Sequence, residues 1–176
     1  MIISTRGHKV YNTYCKWAPL IYLLSEARVL GEGQINEPIS GYTILWRGLP
    51  EGQRREVCVQ FALKNSLVSS IAEIRSGISE QTMSCRIKLT KARFLTVISI
   101  YSPTMSHSDE SVRQFYDDLV ELLRKVPISD KLVISGNFNA RIGNDYVSWP
   151  VLRRHGIGKC NKNGVDLFTF CTENNL

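Results

Sequence analysis

Two amide side chains, Asn137 and Asn139, stand two residues apart just after a short apolar run, Leu132-Val133-Ile134. The run is rich in β-branched residues and predicts a buried strand, which Ser135 and Gly136 end. Residues two apart on an extended chain project to the same side. The strand therefore delivers two hydrogen-bonding groups side by side at its C-terminal end, where open α/β architectures place ligands and chemistry. An amide donates and accepts hydrogen bonds but takes up no proton in the physiological range. The same residues also suit a turn, because Asn and Gly cluster in turns. Spacing alone leaves both readings open.

Two more side chains end strands. Leu20-Ile21-Tyr22-Leu23-Leu24 predicts a buried strand running into Ser25-Glu26-Ala27-Arg28. A carboxylate at the end of a core strand is costly to bury unless it binds something; the alternative for Glu26 is an exposed residue opening a loop. Tyr101 ends the strand Phe94–Ile100, and Pro103 fixes the exit because proline cannot donate to a ladder. On its own Tyr101 is an ordinary strand-end aromatic.

Charge gathers around the first pair. Of a net +6 in 176 residues, the stretch 131–163 holds Lys131, Arg141, Arg153, Arg154, Lys159 and Lys162 against one acid, Asp145. A local cationic excess beside a candidate site suits a polyanion such as a nucleic-acid backbone. A solvated cationic surface with no ligand is the alternative.

The chain has the length of one domain, and its 43% hydrophobic and 22% charged residues place it among ordinary soluble globular proteins. No run approaches the apolar length of a membrane helix, so no membrane association is expected. The five cysteines (15, 58, 85, 160, 171) are odd in number and lack Cys-x-x-Cys spacing. Buried free thiols in a reducing, intracellular compartment, nuclear or cytoplasmic, account for them most simply. His8, His107 and His155 do not stand at ligand spacing from cysteines, which argues against zinc. Ala18–Leu24 faintly resembles a signal-peptide core, but it contains a proline and follows a long polar lead, so it reads as a strand.

Elsewhere, residues 1–17 carry no clear periodicity and form a divergent N-terminal segment ahead of the domain at 18–176. Gly31, Gly33 and Pro38 mark a loop, and 41–46 and 57–63 predict strands. Residues 64–82 read as a polar connection with weak helical character. Met83, Cys85, Ile87 and Leu89 alternate on one face of a strand that Thr90–Arg93 links tightly to Phe94–Ile100, giving an antiparallel hairpin. Ser108 caps a helix whose apolar face runs from Val112 to Val126 and which Pro127 stops. Asn163, with Asp166 three residues on, predicts the cap of a last helix.

Gly136-Asn-Phe-Asn-Ala-Arg-Ile-Gly143 resembles the Gly-Asp-Phe-Asn-Ala-Arg-(Val/Ile)-Gly signature of the endonuclease/exonuclease/phosphatase superfamily. It is more closely similar to endonuclease domains of LINE-type retrotransposons and to their host-genome relatives of the craniofacial development protein 2-like kind. Ser25-Glu-Ala-Arg28, Tyr101-Ser-Pro-Thr104 and Asn161-Lys-Asn-Gly164 resemble further motifs of that family, in the family's order, and the likeness runs from about Ile21 to Leu176. The resemblance implies an α/β (α+β) fold, a four-layer sandwich of the DNase I-like type, incomplete at both ends. It implies metal-assisted phosphodiester hydrolysis, with Glu26 as the ligand of Mg²⁺ or Mn²⁺, Asn139 orienting phosphate or water, and Tyr101 stabilising developing charge. It also implies weak, non-specific contact with DNA through Arg141, Arg153, Arg154, Lys159, Lys162 and Asn163.

The chain departs from this pattern where chemistry is concentrated. Asn137 stands at the family's Asp, its general base, and no matching metal-supporting Asn precedes Glu26. The family's later Asp-His pair has no counterpart in the sequence, and the resemblance therefore implies an open sheet edge. Cys58 and Gln60 stand where relatives usually carry glycine. The expectation is a degenerate or partial endonuclease domain of little or no activity. The alternative is a nucleic-acid binding or protein-interaction module that reuses the fold without catalysis.

Overall fold

The structure, a computed structural model, describes residues 2–5, 20–25, 29–48, 58–76, 79–143 and 158–176. Glu26, Arg153, Arg154 and His155 lie outside these residues. Nine strands and three helices are described: β1 (Ile2–Thr5), β2 (Ile21–Ser25), β3 (Glu32–Glu37), β4 (Tyr42–Gly48), β5 (Cys58–Lys64), α1 (Asn65–Val68), β6 (Ile71–Ser76), β7 (Thr82–Thr90), β8 (Arg93–Tyr101), α2 (Asp109–Arg124), β9 (Lys131–Asn137) and α3 (Lys162–Glu173).

The strands form a five-stranded sheet, β1-β9-β8-β7-β6, and a four-stranded sheet, β2-β5-β4-β3. All pairings are antiparallel except β8 with β9. A parallel pair needs a crossover, and α2 supplies it. One core joins the sheets: Leu45, Val59, Phe61 and Leu63 face Met83, Cys85, Ile87 and Val97. A second core lies on the outer face of the five-stranded sheet, where Ile98, Ile100, Leu132 and Ile134 meet Phe115, Leu119, Leu167 and Phe170 of α2 and α3. β8 and β9 are thus covered on both faces, which explains why Leu132–Ile134 is apolar without alternation. The mixed α/β expectation holds at this level. Among the described residues three layers are present: helices, five-stranded sheet and four-stranded sheet.

The strand expected at 20–24 is present but lies at a sheet edge, with Tyr22 and Leu24 exposed. Three strands escape the sequence reading, and all three are also edges. β1 falls in the segment without periodicity. β3 replaces an expected loop; Glu-Gly-Gln-Ile-Asn-Glu has almost nothing to bury on either face. β6 replaces part of the expected polar connection, and an irregularity between Ile71 and Glu73 breaks the period-two signal. The hairpin of β7 and β8 matches, as does Ser108 capping α2 by accepting a hydrogen bond from the Ser111 N–H. At α3 the cap is Asn161, whose side chain accepts from the Gly164 N–H; Asn163 lies inside the first turn.

Candidate functional site

The parallel register sets Tyr101 of β8 opposite Asn137 of β9 at the C-terminal ends of neighbouring central strands. Their backbones come close there for a local reason. Gly136 has φ +150, and a Cβ on it would overlap the Ile100 carbonyl oxygen, so only glycine permits the pairing. One residue on, the Ser102 N–H donates to the Asn137 carbonyl at 2.9 Å.

The turn reading describes this pair, because Asn139 stands beyond the extended strand. The strand ends at Asn137, whose side-chain oxygen accepts the Asn139 N–H at 2.9 Å, closing an Asx turn. Asn139 then adopts a left-handed conformation, φ +48, and its amide donates to the Ser102 carbonyl at 2.6 Å. Between them Phe138 turns the other way, into the helix-side core. The Asn137 amide therefore shapes the β9 exit, and the Asn139 amide ties it to the β8 exit. Both are half-buried, as is Tyr101, which also packs on the inter-sheet core.

Asn161 binds this pair of loops to α3. Its side-chain oxygen accepts from the N–H groups of Arg141 (2.8 Å) and Gly164 (2.9 Å). Its amide donates to the Asn139 carbonyl (3.2 Å), and its backbone N–H donates to the Arg141 carbonyl (3.0 Å). The sequence reading missed this residue by choosing the other asparagine of Asn161-Lys-Asn163. The available signal was its position three residues before Gly164, the spacing of a cap to the N–H that donates to it.

The predicted cationic contacts separate into different environments. Arg141 and Lys159 are exposed on the two segments that Asn161 ties together. Lys162 is exposed but ion-paired to Asp109, and this partner holds the Asp109 carboxyl below its usual range. Asn163 is buried at 3%, with its amide on the Pro103 carbonyl. It is part of the scaffold. His107 accepts the Thr104 N–H within its own loop.

No group of three or more His, Cys, Asp or Glu able to hold a metal occurs among the described residues. Mg²⁺ and Mn²⁺ call for carboxylate oxygens. The side chains at the two strand ends are a phenol and two amides, and both amides are engaged within the protein. These described residues do not by themselves fit a divalent cation.

No family model matches the chain. It is 32% identical over 157 residues to craniofacial development protein 2 of Bos taurus and 31% identical over 157 residues to that of Tragulus javanicus. Each match covers 81% of this chain and 26% or 27% of the relative. The chain thus spans about a quarter of the length of the curated relatives it matches, and over that stretch the likeness supports kinship with the craniofacial development protein 2 family.

Proposed function

We propose that the chain is a DNA-binding module derived from a metal-dependent endonuclease of the endonuclease/exonuclease/phosphatase kind, in which the hydrolytic site has been dismantled. Two face-to-face sheets with a helical layer on one of them agree with a DNase I-like sandwich. The observation that carries the reading is Asn137. It sits in register with Tyr101 at the strand ends, and its side-chain oxygen is occupied by the Asn139 N–H.

Hydrolysis of a phosphodiester by water requires that the water lose a proton. A neutral amide cannot accept it, and loss of a positioned base costs about 10²–10⁴-fold. Glu26 is the one carboxylate that the sequence motifs offer to Mg²⁺ or Mn²⁺, which when bound would polarise a phosphate oxygen. What the described side chains do is hold two strand exits rigidly and neutral, beside the cations Arg141 and Lys159. Arg153 and Arg154 add to the same charge excess in the sequence. Such a surface meets phosphates without reading bases. Lys162, already paired, contributes less.

The test is fluorescence anisotropy of a labelled duplex titrated with the chain at several salt concentrations. Affinity should fall steeply with salt, and Arg141→Glu with Lys159→Glu should reduce the slope of log affinity on log salt by about 2. No binding at about 50 mM salt, or charge reversals without effect, would remove DNA from the account and leave the protein-interaction reading.

A further inference from the structure

Lys162 is held by Asp109, but Arg141 and Lys159 pair with no acid among the described residues. Both are exposed, and they stand on different segments, one following β9 and one preceding α3. How far apart the two cations sit is therefore decided by how those segments meet.

Three features fix that meeting. The first is a reciprocal pair of hydrogen bonds. The Asn161 side-chain oxygen accepts the Arg141 N–H at 2.8 Å, and the Asn161 N–H donates to the Arg141 carbonyl at 3.0 Å. Asn161 thereby engages both backbone groups of Arg141. The second is close approach at two buried glycines. Gly143 has φ +66, and a Cβ on it would press on the Cys160 backbone nitrogen at 2.9 Å. A Cβ on Gly164 would overlap the Arg141 carbonyl oxygen and the Cys160 sulfur. Any larger residue at either position would part the segments. The third is anchoring from beneath: Ala140 and Ile142, on either side of Arg141, pack against the helix-side core.

The two cations thus spring from backbone that is already in place. Binding costs entropy when the groups that make contact must be ordered at that moment. A preset pair avoids part of this cost if the phosphates it meets are also in place. In a duplex they are spaced regularly along the helix axis. A flexible single strand adapts to any spacing, so it gains little from a preset pair.

We propose that Asn161, with Gly143 and Gly164, is a positioning residue for phosphate contact, holding Arg141 and Lys159 as a preset pair that meets two phosphates of one duplex. The inference rests on the DNA-binding reading and adds that affinity depends on the geometry of this junction as well as on its charge. Asn161 is neutral and acts through the two cations.

The experiment titrates a labelled duplex, and separately one of its labelled strands, with the full chain and compares the two affinities by anisotropy. Partial unfolding lowers both in proportion, so their ratio reads position and not stability. The unmodified chain should favour the duplex. Asn161→Ala should lower the duplex-to-single-strand ratio about fivefold, with the salt slope for the duplex unchanged because no cation is lost. Asn161→Gly should do the same; glycine is tolerated at a helix N-cap with little loss of stability, so this variant carries the test if the alanine variant does not fold. Asn161→Asp keeps the oxygen that holds the Arg141 N–H and should retain the parent ratio, although its charge weakens both affinities. Equal affinity of the unmodified chain for the two DNAs would overturn the proposal. So would an unchanged ratio in the glycine variant, or a ratio in the aspartate variant as low as that of alanine; in each case the DNA-binding reading stands. If the unmodified chain binds neither DNA, that reading fails and the inference falls with it.

Discussion

β9 is entered from Asp130, a buried carboxylate, and left through Asn137, a half-buried amide. At the entry, Arg86 grips Asp130 with two hydrogen bonds of 2.7 and 2.9 Å, Thr96 adds a third of 2.8 Å, and the guanidinium lies 3.7 Å over the Phe94 ring. At the exit, the Asn137 side-chain oxygen accepts the Asn139 N–H. The contrast shows when a strand end can carry charge. A buried carboxylate is tolerable where a cation and hydroxyl donors compensate its desolvation. A neutral amide closes its own turn and brings no charge to compensate.

The comparison breaks most severely if the strand itself is disturbed. Gly136→Ala would drive a methyl group into the Ile100 carbonyl at a backbone angle that disfavours alanine, separating β8 from β9. We expect a loss of at least about 4 kcal/mol, or no folded protein, read by chemical denaturation.

Next comes the charged end. Asp130→Ala leaves Arg86 without its partner and should cost about 3 kcal/mol, the low end for a buried pair because Arg86 keeps a quarter of its side chain exposed. The Arg86 hydrogen bond holds the Asp130 carboxyl below its ordinary range against the effect of burial, with Thr96 helping. A carboxyl lowered on folding stabilises the fold above its unfolded value of about 4, and that contribution is lost as pH falls through the lowered folded value. Acid titration of stability should therefore show a decline below about pH 4 that Asp130→Asn flattens.

At the neutral end, Asn161→Ala removes the α3 cap and two side-chain bonds to the loop after β9. It should cost about 2 kcal/mol, whereas Asn161→Asp keeps the acceptor oxygen and should cost under about 1 kcal/mol. Thermal melts of the two variants separate a capping role from a merely steric one. The smallest effect belongs to Asn137→Asp. A carboxylate also closes an Asx turn, so stability should change by no more than about 0.5 kcal/mol. A larger destabilisation would mean that charge, and not only chemistry, is excluded there.

What could be read from the sequence follows burial. β5, β7, β8 and β9, covered on at least one face by a core, announce themselves through apolar runs or alternation, and α2 does so through its cap and stripe. β1, β3 and β6 each bond to a single neighbour, and none carries a sustained apolar run or an unbroken alternation. The site divides in the same way. Asn137 and Asn139 were legible because two amides at spacing two leave a pattern, whereas Ser135 and Gly136, expected to end the strand, lie inside β9, and the close approach to Ile100 that requires glycine shows only in the fold. Asn161 was legible only as a cap three residues before Gly164, because its bonds to Arg141 and Asn139 span 20 and 22 positions, which no local pattern encodes. Asn163 looked equally polar in sequence, and only packing reveals that it is buried.

The central claim, binding without cutting, is tested most directly by nicking of supercoiled plasmid in Mg²⁺ or Mn²⁺ at chain concentrations that saturate DNA binding. The unmodified chain should leave the plasmid intact, and Asn137→Asp should restore at most a trace, because groups that act as a catalytic unit are not recovered one at a time. Metal-dependent nicking by the unmodified chain, abolished by Glu26→Ala, would contradict the account.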